Sequence, residues 1–505
     1  MKRISILVIL GLVVWAGFYL RFIDLGQKPM HTDEAVNGIM VRQTLAGESE
    51  SFDPGHYHGP LLRYLAVPVV WVAEVITGEG LTEASLRWLT AFAGSLSVIA
   101  LILFRNQLGK DACFISLVFA AVSPPLIYYN RYFIHESVFV LFSLLFLYCL
   151  WRFMDERSWA FAAWTGVMAG LLHVLRETVV LVLAAAALAL LVSFGRDWRK
   201  NLIWLVSRDG LLRLGLGVLC AFVVSVLFYS AFFTYWQGPV DSVLTYFMYE
   251  TEAGHEKPWY YYMGLILGER SNVGYLGQAW LLILGAAAVW QTFIEKTGDA
   301  ERIPFYRFIA SYTIITTVLY STIAYKTPWL MLNFLVGWIV LAGLGWVYLW
   351  GKLRSVLVRT ILVIVLLGSL GHAIRQSWLL SFRFSADPRN PFVYSHTSPD
   401  LINLIDRLEL LAALHPDGKA LRINVAGTEY WPLPWYLREY PNVGYWQELP
   451  AGSNAPVQIF GFSGEEEVPE LDENIYMTEL RGLREGVFLL IFIEHNLWER
   501  QFPNG

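Results

Sequence analysis

The chain has 505 residues, 56% of them hydrophobic and only 16% charged. Soluble domains carry roughly a quarter of their residues as charges, so this is the composition of a polytopic membrane protein. A net charge of −5 gives no basic surface for nucleic acid, and the three cysteines (Cys113, Cys149, Cys220) sit in apolar stretches as packed thiols, without a disulfide or zinc framework.

The first element, "MKRISILVILGLVVWAGFYLRF", has a basic start and a long apolar run with no small-residue cleavage site after it. It predicts a retained span over 4–23, although an uncleaved signal anchor has the same pattern. Further runs able to cross about 30 Å of hydrocarbon fall near 86–104, 112–129, 137–153, 159–175, 178–194, 211–235, 276–294, 305–325, 328–350 and 356–375. The expected fold is therefore an all-α polytopic membrane bundle of about eleven transmembrane helices. Lys2, Arg3, Arg105, Lys110, Arg152, Arg157, Arg196, Arg199, Lys200, Arg302, Arg307, Lys352 and Arg354 then share one side, which the positive-inside rule makes the cytoplasm. The apolar stretch "LLRYLAVPVVWVAEVITG" (61–78) is interrupted by Pro68 and Glu74. A span there would invert every later loop against the charge rule, so it is expected to lie on the outer face as an interfacial helix.

An odd number of spans puts the C-terminus outside. After about Ser385 the sequence gains Pro, Asp, Glu and Asn, with β-like runs "LRINVAG", "VQIFGF" and "GVFLLIFI" and the amphipathic "SPDLINLIDRLELLAAL". The expected organisation is a transmembrane domain over 1–380 and a small extracytoplasmic α/β domain over 381–505. The N-terminus is expected in the cytoplasm of a cell bounded by this plasma (inner) membrane.

Under this topology all ten histidines fall in outer loops, the outer domain or the outer ends of spans. The outer segments 24–85 and 236–275 are long, the inner loops short, and long ordered loops usually carry function. Four outer stretches hold candidates: "HTDEAVNG" (31–38) with "FDPGHYHGP" (52–60), "YYNRYFIHES" (128–137), "HEKPWYYY" (255–262) and "AYKTPWLML" (324–332). Arg176, with Glu177 beside it, lies at another outer end. Each has a structural reading too. Asp33 and Glu34 would N-cap a helix, Arg131 and Lys326 would be snorkelling anchors, and "KPWYYY" would belong to an aromatic belt. His56 and His58 have the i, i+2 spacing that can grip a metal.

Taken together, these stretches resemble the GT-C superfamily of membrane glycosyltransferases, which take sugars from polyprenyl-phosphate donors. Protein O-mannosyltransferases and the bacterial lipid A aminoarabinose transferase are its best-understood relatives. "HTDEAVNGIMVRQTLAG" is similar to the family's Asp-Glu pair opening a membrane-lying helix. "SLRWLTAFAGSLSVIALILF" is similar to its second span, with Arg87 at the place of the family's arginine. "NRYFIHES" matches an Arg-Tyr, three residues, acid pattern, with Glu136 where Asp is usual. Arg176 stands where Lys is common, and "AYKTPWLML" is similar to the Lys-X-Pro stretch that closes the donor-phosphate pocket. "HEKPWYYY", "KTPWL" and "YWPLPWYLREYPNVGYW" (430–446) look most like a bacterial and archaeal subgroup named for association with flippase activity in archaeal N-glycosylation. The resemblance covers roughly 1–380 at superfamily level and the outer domain only at subgroup level, and the oligosaccharyltransferase "WWD" signature is absent.

The resemblance implies transfer of a sugar to an acceptor hydroxyl of a lipid, glycan or protein at the outer face, with inversion. Asp33 would be the base and Glu34 would position it or the acceptor. Lys326 first, then Arg131, Arg87 and Arg176, would meet the donor phosphate, and Glu136 would orient the acceptor. His31, His58, His135, His255, Lys257 and Trp259 are substrate or acceptor candidates. No cofactor is required, though a divalent cation on His56 and His58 is compatible with the spacing. The rival reading is a transporter or flippase accessory for a lipid-linked sugar; it should place charges at mid-membrane and show repeated halves, which this sequence lacks. A scaffold built around the outer domain leaves the outer acids and cations unexplained.

Overall fold

The computed structural model describes residues 2–48, 52–195, 198–248, 255–268, 273–274, 277–296, 299–450, 452, 454–464 and 468–501. Arg196, the first residue of the 276–294 run and parts of the 236–275 segment lie outside the described residues. Contacts group the chain into two compact units, Met1–Leu25 with Gln43–Arg383, and Gly26–Arg42 with Phe384–Gly505.

The first unit is helical, and the apolar runs named above coincide with helices over most of their described residues. They are Lys2–Phe22, Glu83–Leu108, Lys110–Val122 followed by Pro124–Asn130, Glu136–Glu156, Trp159–Leu175, Val179–Ser193, Arg208–Tyr229, Ala279–Glu295, Ile303–Thr322, Pro328–Lys352 and Val356–Arg383. Among the described residues, 5 helices are long and apolar enough to cross a membrane, or 6 if the bent pair is one span. Val8–Phe22, Trp159–Leu175, Val179–Ser193 and Ala279–Glu295 are apolar but shorter. The chain is thus a helical membrane protein. The stretch expected at the interface is also helical, Leu61–Thr77 with Pro68 inside it, and ends on Gly78 at φ 77°.

Local chemistry explains the breaks. Ser123 precedes Pro124, which disfavours helical backbone at position 123; it is extended (ψ 118°), and the axis turns by 57° there. Thr82 and Ser85 form a reciprocal capping box that starts Glu83–Ala100. Two helix pairs approach closely because a glycine faces backbone. A Cβ on Gly166 would lie 1.9 Å from the Gly217 carbonyl oxygen, and one on Gly345 would lie 1.8 Å from that of Leu284.

The second unit holds a five-stranded sheet: β1 (Ile423–Gly427), β2 (Val443–Trp446), β3 (Val457–Ser463), β4 (Tyr476–Arg484) and β5 (Val487–Glu494), in the order β2-β1-β3-β5-β4. β2, β1 and β3 are parallel; β5 runs antiparallel to β3 and β4. The helix Asp400–Leu414 lays Leu401, Leu404, Leu408 and Leu411 on Ile423, Val425, Ile459 and Ile491 of one sheet face. The β-like runs anticipated above are β1, β3 and β5. β2 is short and exposed, and β4 alternates charge with apolar residues, so neither reads as a buried strand.

Candidate active site

The acidic pair sits at the start of helix Thr32–Ala46. Glu34 is fully buried, and its carboxylate reaches back to accept the backbone N–H of His31 at 2.9 Å. That is half of a capping box, so the structural role falls to Glu34. Asp33 points elsewhere, with its side chain 51% exposed. The Asp33 backbone N–H donates to His31 Nδ1 at 3.1 Å, so His31 carries its proton on Nε2 and donates to the Tyr394 carbonyl at 3.1 Å. The imidazole is held in place between the Asp33 N–H and the Tyr394 carbonyl. Its ring stacks on His396 at 5.7 Å, the Thr397 hydroxyl donates to the Met30 carbonyl, and the Met30 N–H donates to the Tyr436 hydroxyl. The turn carrying Asp33 is therefore built against residues 394–436 of its own unit.

In the first unit, four expected residues meet around one that had been given no role. Arg176 ends the helix Trp159–Leu175 and pairs with buried Glu136, the first residue of helix Glu136–Glu156. Arg176 Nε lies 3.5 Å from Glu177, whose other oxygen is 3.0 Å from His58 Nδ1. The His58 ring meets His135 edge-on at 5.1 Å. Burial alone would raise the Glu177 carboxyl, but His58 and Arg176 outweigh it and hold the group well below the usual carboxylate range. Burial, then the charges of His58 and Arg176, push His135 well below the usual imidazole range, so it stays neutral. No spacing signal in "LRETVV" ties Glu177 to a histidine more than a hundred residues earlier, which is why only contact reveals it.

The third and fourth stretches also meet. Glu256 and Tyr325 form an antiparallel bridge, the Lys257 N–H donates to Ala324, and the Lys326 N–H donates to His255. The His255 and Tyr325 rings pack at 5.0 Å. Lys326 is 1% exposed, and its ammonium donates to the Lys257 carbonyl at 2.9 Å and to the Ile323 carbonyl, which caps the end of Ile303–Thr322. Its burial lowers its pKa and excludes a snorkelling anchor. Two of the three ammonium N–H groups are so used. Lys257 is half-buried, and Trp259 stands 70% exposed beside the bridge.

Arg131 and Arg87 do different work. Arg131 donates to the carbonyls of Leu20, Ile23 and Asp24 and stacks on Phe382 at 4.3 Å; buried Arg87 donates to Leu25 at 2.7 Å. Arg131 caps the C-terminal end of the first helix, as cations do there, while Arg87 holds the turn that follows it. His56, 75% exposed, pairs with Asp53 rather than sharing a ligand with His58. Among the described residues no three His, Cys, Asp or Glu side chains group as a metal site.

A family model described as dolichyl-phosphate-mannose-protein mannosyltransferase matches residues 58–214. No curated protein matches the chain by sequence. ArnT from Cupriavidus metallidurans bound to undecaprenyl phosphate superposes with a TM-score of 0.65 at 13% identity, covering 95% of this chain and 97% of ArnT. Its apo state gives 0.63 at 13% identity over 97% and 98%. The Archaeoglobus fulgidus oligosaccharyltransferase tethered to an acceptor peptide gives 0.51 at 14% identity over 86% of this chain and 63% of that one. The chain shares the fold of ArnT. Within this fold the stretch 58–214 that the family model matches runs from His58 past Arg87, Arg131, Glu136, Arg176 and Glu177, whereas Asp33, Glu34 and Lys326 lie outside it.

Proposed function

We propose that the chain is an integral-membrane glycosyltransferase. It moves a sugar from a polyprenyl-phosphate donor to an acceptor hydroxyl at the outer face of the plasma membrane, its N-terminus cytoplasmic and its C-terminal domain outside. One observation carries this reading: the likeness over 95% of the chain to a structure determined with undecaprenyl phosphate bound. The buried cations of the first unit support it, since a leaving phosphate gains charge that preorganised N–H donors stabilise.

In the proposed reaction the acceptor O–H gives its proton to the Asp33 carboxylate as its oxygen attacks the anomeric carbon. The bond from that carbon to the phosphate oxygen breaks, and its electron pair leaves on polyprenyl phosphate, with inversion. Asp33 suits the base because its carboxylate is exposed, whereas Glu34 is committed to the helix start. The third N–H of Lys326 and the Arg176 guanidinium are the donors assigned to phosphate. The donor sugar is a hexose or pentose and the acceptor a lipid, glycan or protein, with no metal needed for any step.

The test is a panel of labelled polyprenyl-phosphate hexoses and pentoses supplied to membranes containing the chain. Transfer of label into a lipid, glycan or protein fraction, with inverted anomeric configuration, is expected. Retained configuration contradicts the displacement. Movement of intact donor between leaflets without consumption would instead favour a transporter.

A further inference from the structure

The helix Gly238–Met248, which follows the span Arg208–Tyr229, has its polarity reversed. Its buried residues are Gly238, Asp241, Ser242 and Thr245, spaced i, i+3, i+4 and i+7 along one face. Val240, Val243, Leu244 and Phe247 repeat that spacing two positions on and are exposed, Phe247 to 82%. A helix on a protein surrounded by water turns its apolar stripe inward and its polar one to solvent. We infer that this helix is seated in the surface of the bilayer, with Val240, Val243, Leu244 and Phe247 among the acyl chains of the surrounding phospholipid.

The buried face needs no water. The Asp241 carboxylate accepts from the Tyr235 hydroxyl at 2.8 Å through one oxygen and from Gln237 Nε2 at 3.1 Å through the other. The Ser242 hydroxyl donates to the Pro239 carbonyl, and that of Thr245 to the Asp241 carbonyl. Polar groups satisfied within the protein can sit at the edge of hydrocarbon, where water is scarce. With 11 residues the helix is about 16 Å long, roughly half the thickness of the hydrocarbon core, so it lies along the membrane rather than across it.

Continuity with the span names the occupant. Arg208–Tyr229 carries exposed apolar side chains along its length, Leu212, Val218, Phe222 and Val223 among them, and faces lipid there. The helix begins on the last residue of that span: a Cβ at Gly238 would lie 1.8 Å from the Tyr229 carbonyl oxygen. Between them Ala231, Phe232 and Phe233 hold φ of 48°, 57° and 74°, left-handed values that residues other than glycine seldom adopt. Ser230 fixes this turn, its carbonyl accepting the Tyr235 N–H at 2.8 Å and its hydroxyl the Phe233 N–H at 3.0 Å. Phe232, Phe233 and Trp236 stand out from the turn, so exposed apolar side chains continue from span to helix. Aromatic rings are favoured where headgroups meet hydrocarbon, and a bilayer that solvates the span reaches the helix as well.

The test places a bimane label at Val243→Cys or Phe247→Cys in the full-length protein carrying Cys113→Ala, Cys149→Ala and Cys220→Ala. The labelled proteins are held in nanodiscs of phosphatidylcholine brominated either high or low on the acyl chain. Both positions are exposed, and matched melting temperatures check that the fold is kept. Phe222→Cys in the span is the lipid reference, and exposed Lys419→Cys in the C-terminal unit is the water reference. Bromines high on the chain are expected to cost both helix labels as much fluorescence as either lipid costs Phe222→Cys; bromines low on the chain should cost them less. Lys419→Cys should keep its fluorescence in both lipids. Helix labels quenched by neither lipid, whether water or a second copy of the chain covers them, overturn the inference. Stronger quenching by the low bromines would contradict a seat at the surface. Quenching that disappears when stoichiometric undecaprenyl phosphate is added would give the face to an isoprenoid tail and also overturn it. No sugar transfer is measured, so the outcome is independent of the reaction proposed above.

Discussion

At the scale of single residues, two adjacent carboxylates have separate environments, and mutation should separate them. Glu34→Ala removes a buried acceptor from the His31 N–H and is expected to cost about 1–3 kcal/mol, read as a lower melting temperature. Asp33→Asn alters an exposed side chain and should change stability by less than about 0.5 kcal/mol. Arg176→Met leaves Glu136 and Glu177 without their shared cation, and thermal unfolding should show a loss of about 3–5 kcal/mol. The depressed Glu177 pKa also has a pH signature. Its stabilising contribution is present above the unfolded carboxylate value, about 4.3, and disappears as pH falls through the lower folded value. Glu177→Gln should therefore be less stable than wild type near pH 6, with the gap closing progressively below pH 4.5. The sequence made Asp33, Glu136 and Arg176 legible because short motifs carry them. It did not assign Glu177, nor say which carboxylate caps the helix, because both depend on side-chain direction.

At the scale of elements, the apolar runs were readable because about 20 apolar residues in a row have few other uses. Their pairing was not. The bridge between 256 and 325 joins two loops about seventy residues apart, and nothing in "HEKPW" or "AYKTPW" announces it. Nor does sequence reveal that Arg131 caps the first helix, since an arginine at a membrane boundary serves equally as an anchor. Arg131→Ala is expected to strip the Leu20, Ile23 and Asp24 carbonyls of their donor and to speed hydrogen exchange at that helix end. Lys326→Met should release the Lys257 and Ile323 carbonyls and weaken donor affinity, whereas Lys326→Arg should restore much of the affinity; equal donor affinity in all three proteins would remove Lys326 from the phosphate site.

At the scale of the whole molecule, the fold class followed from composition, and the C-terminal sheet from three of its strands. The sequence drew one boundary, near 380, whereas contacts place residues 26–42 with 384–505. Hydrogen bonds from Met30 and His31 to residues some 360 to 400 positions away leave no local pattern. A chain ending at residue 383 should therefore expose 26–42 to proteolysis while its spans stay protected, and supplying 384–505 as a separate polypeptide should restore protection.

The proposed role of Asp33, deprotonating an acceptor that attacks a polyprenyl-phosphate sugar, is tested by single-turnover transfer from the accepted donor by purified Asp33→Asn protein, matched to wild type in melting temperature and in undecaprenyl phosphate affinity. The chemical step is expected to slow by at least about 100-fold while donor affinity is kept. A rate near that of wild type would contradict it.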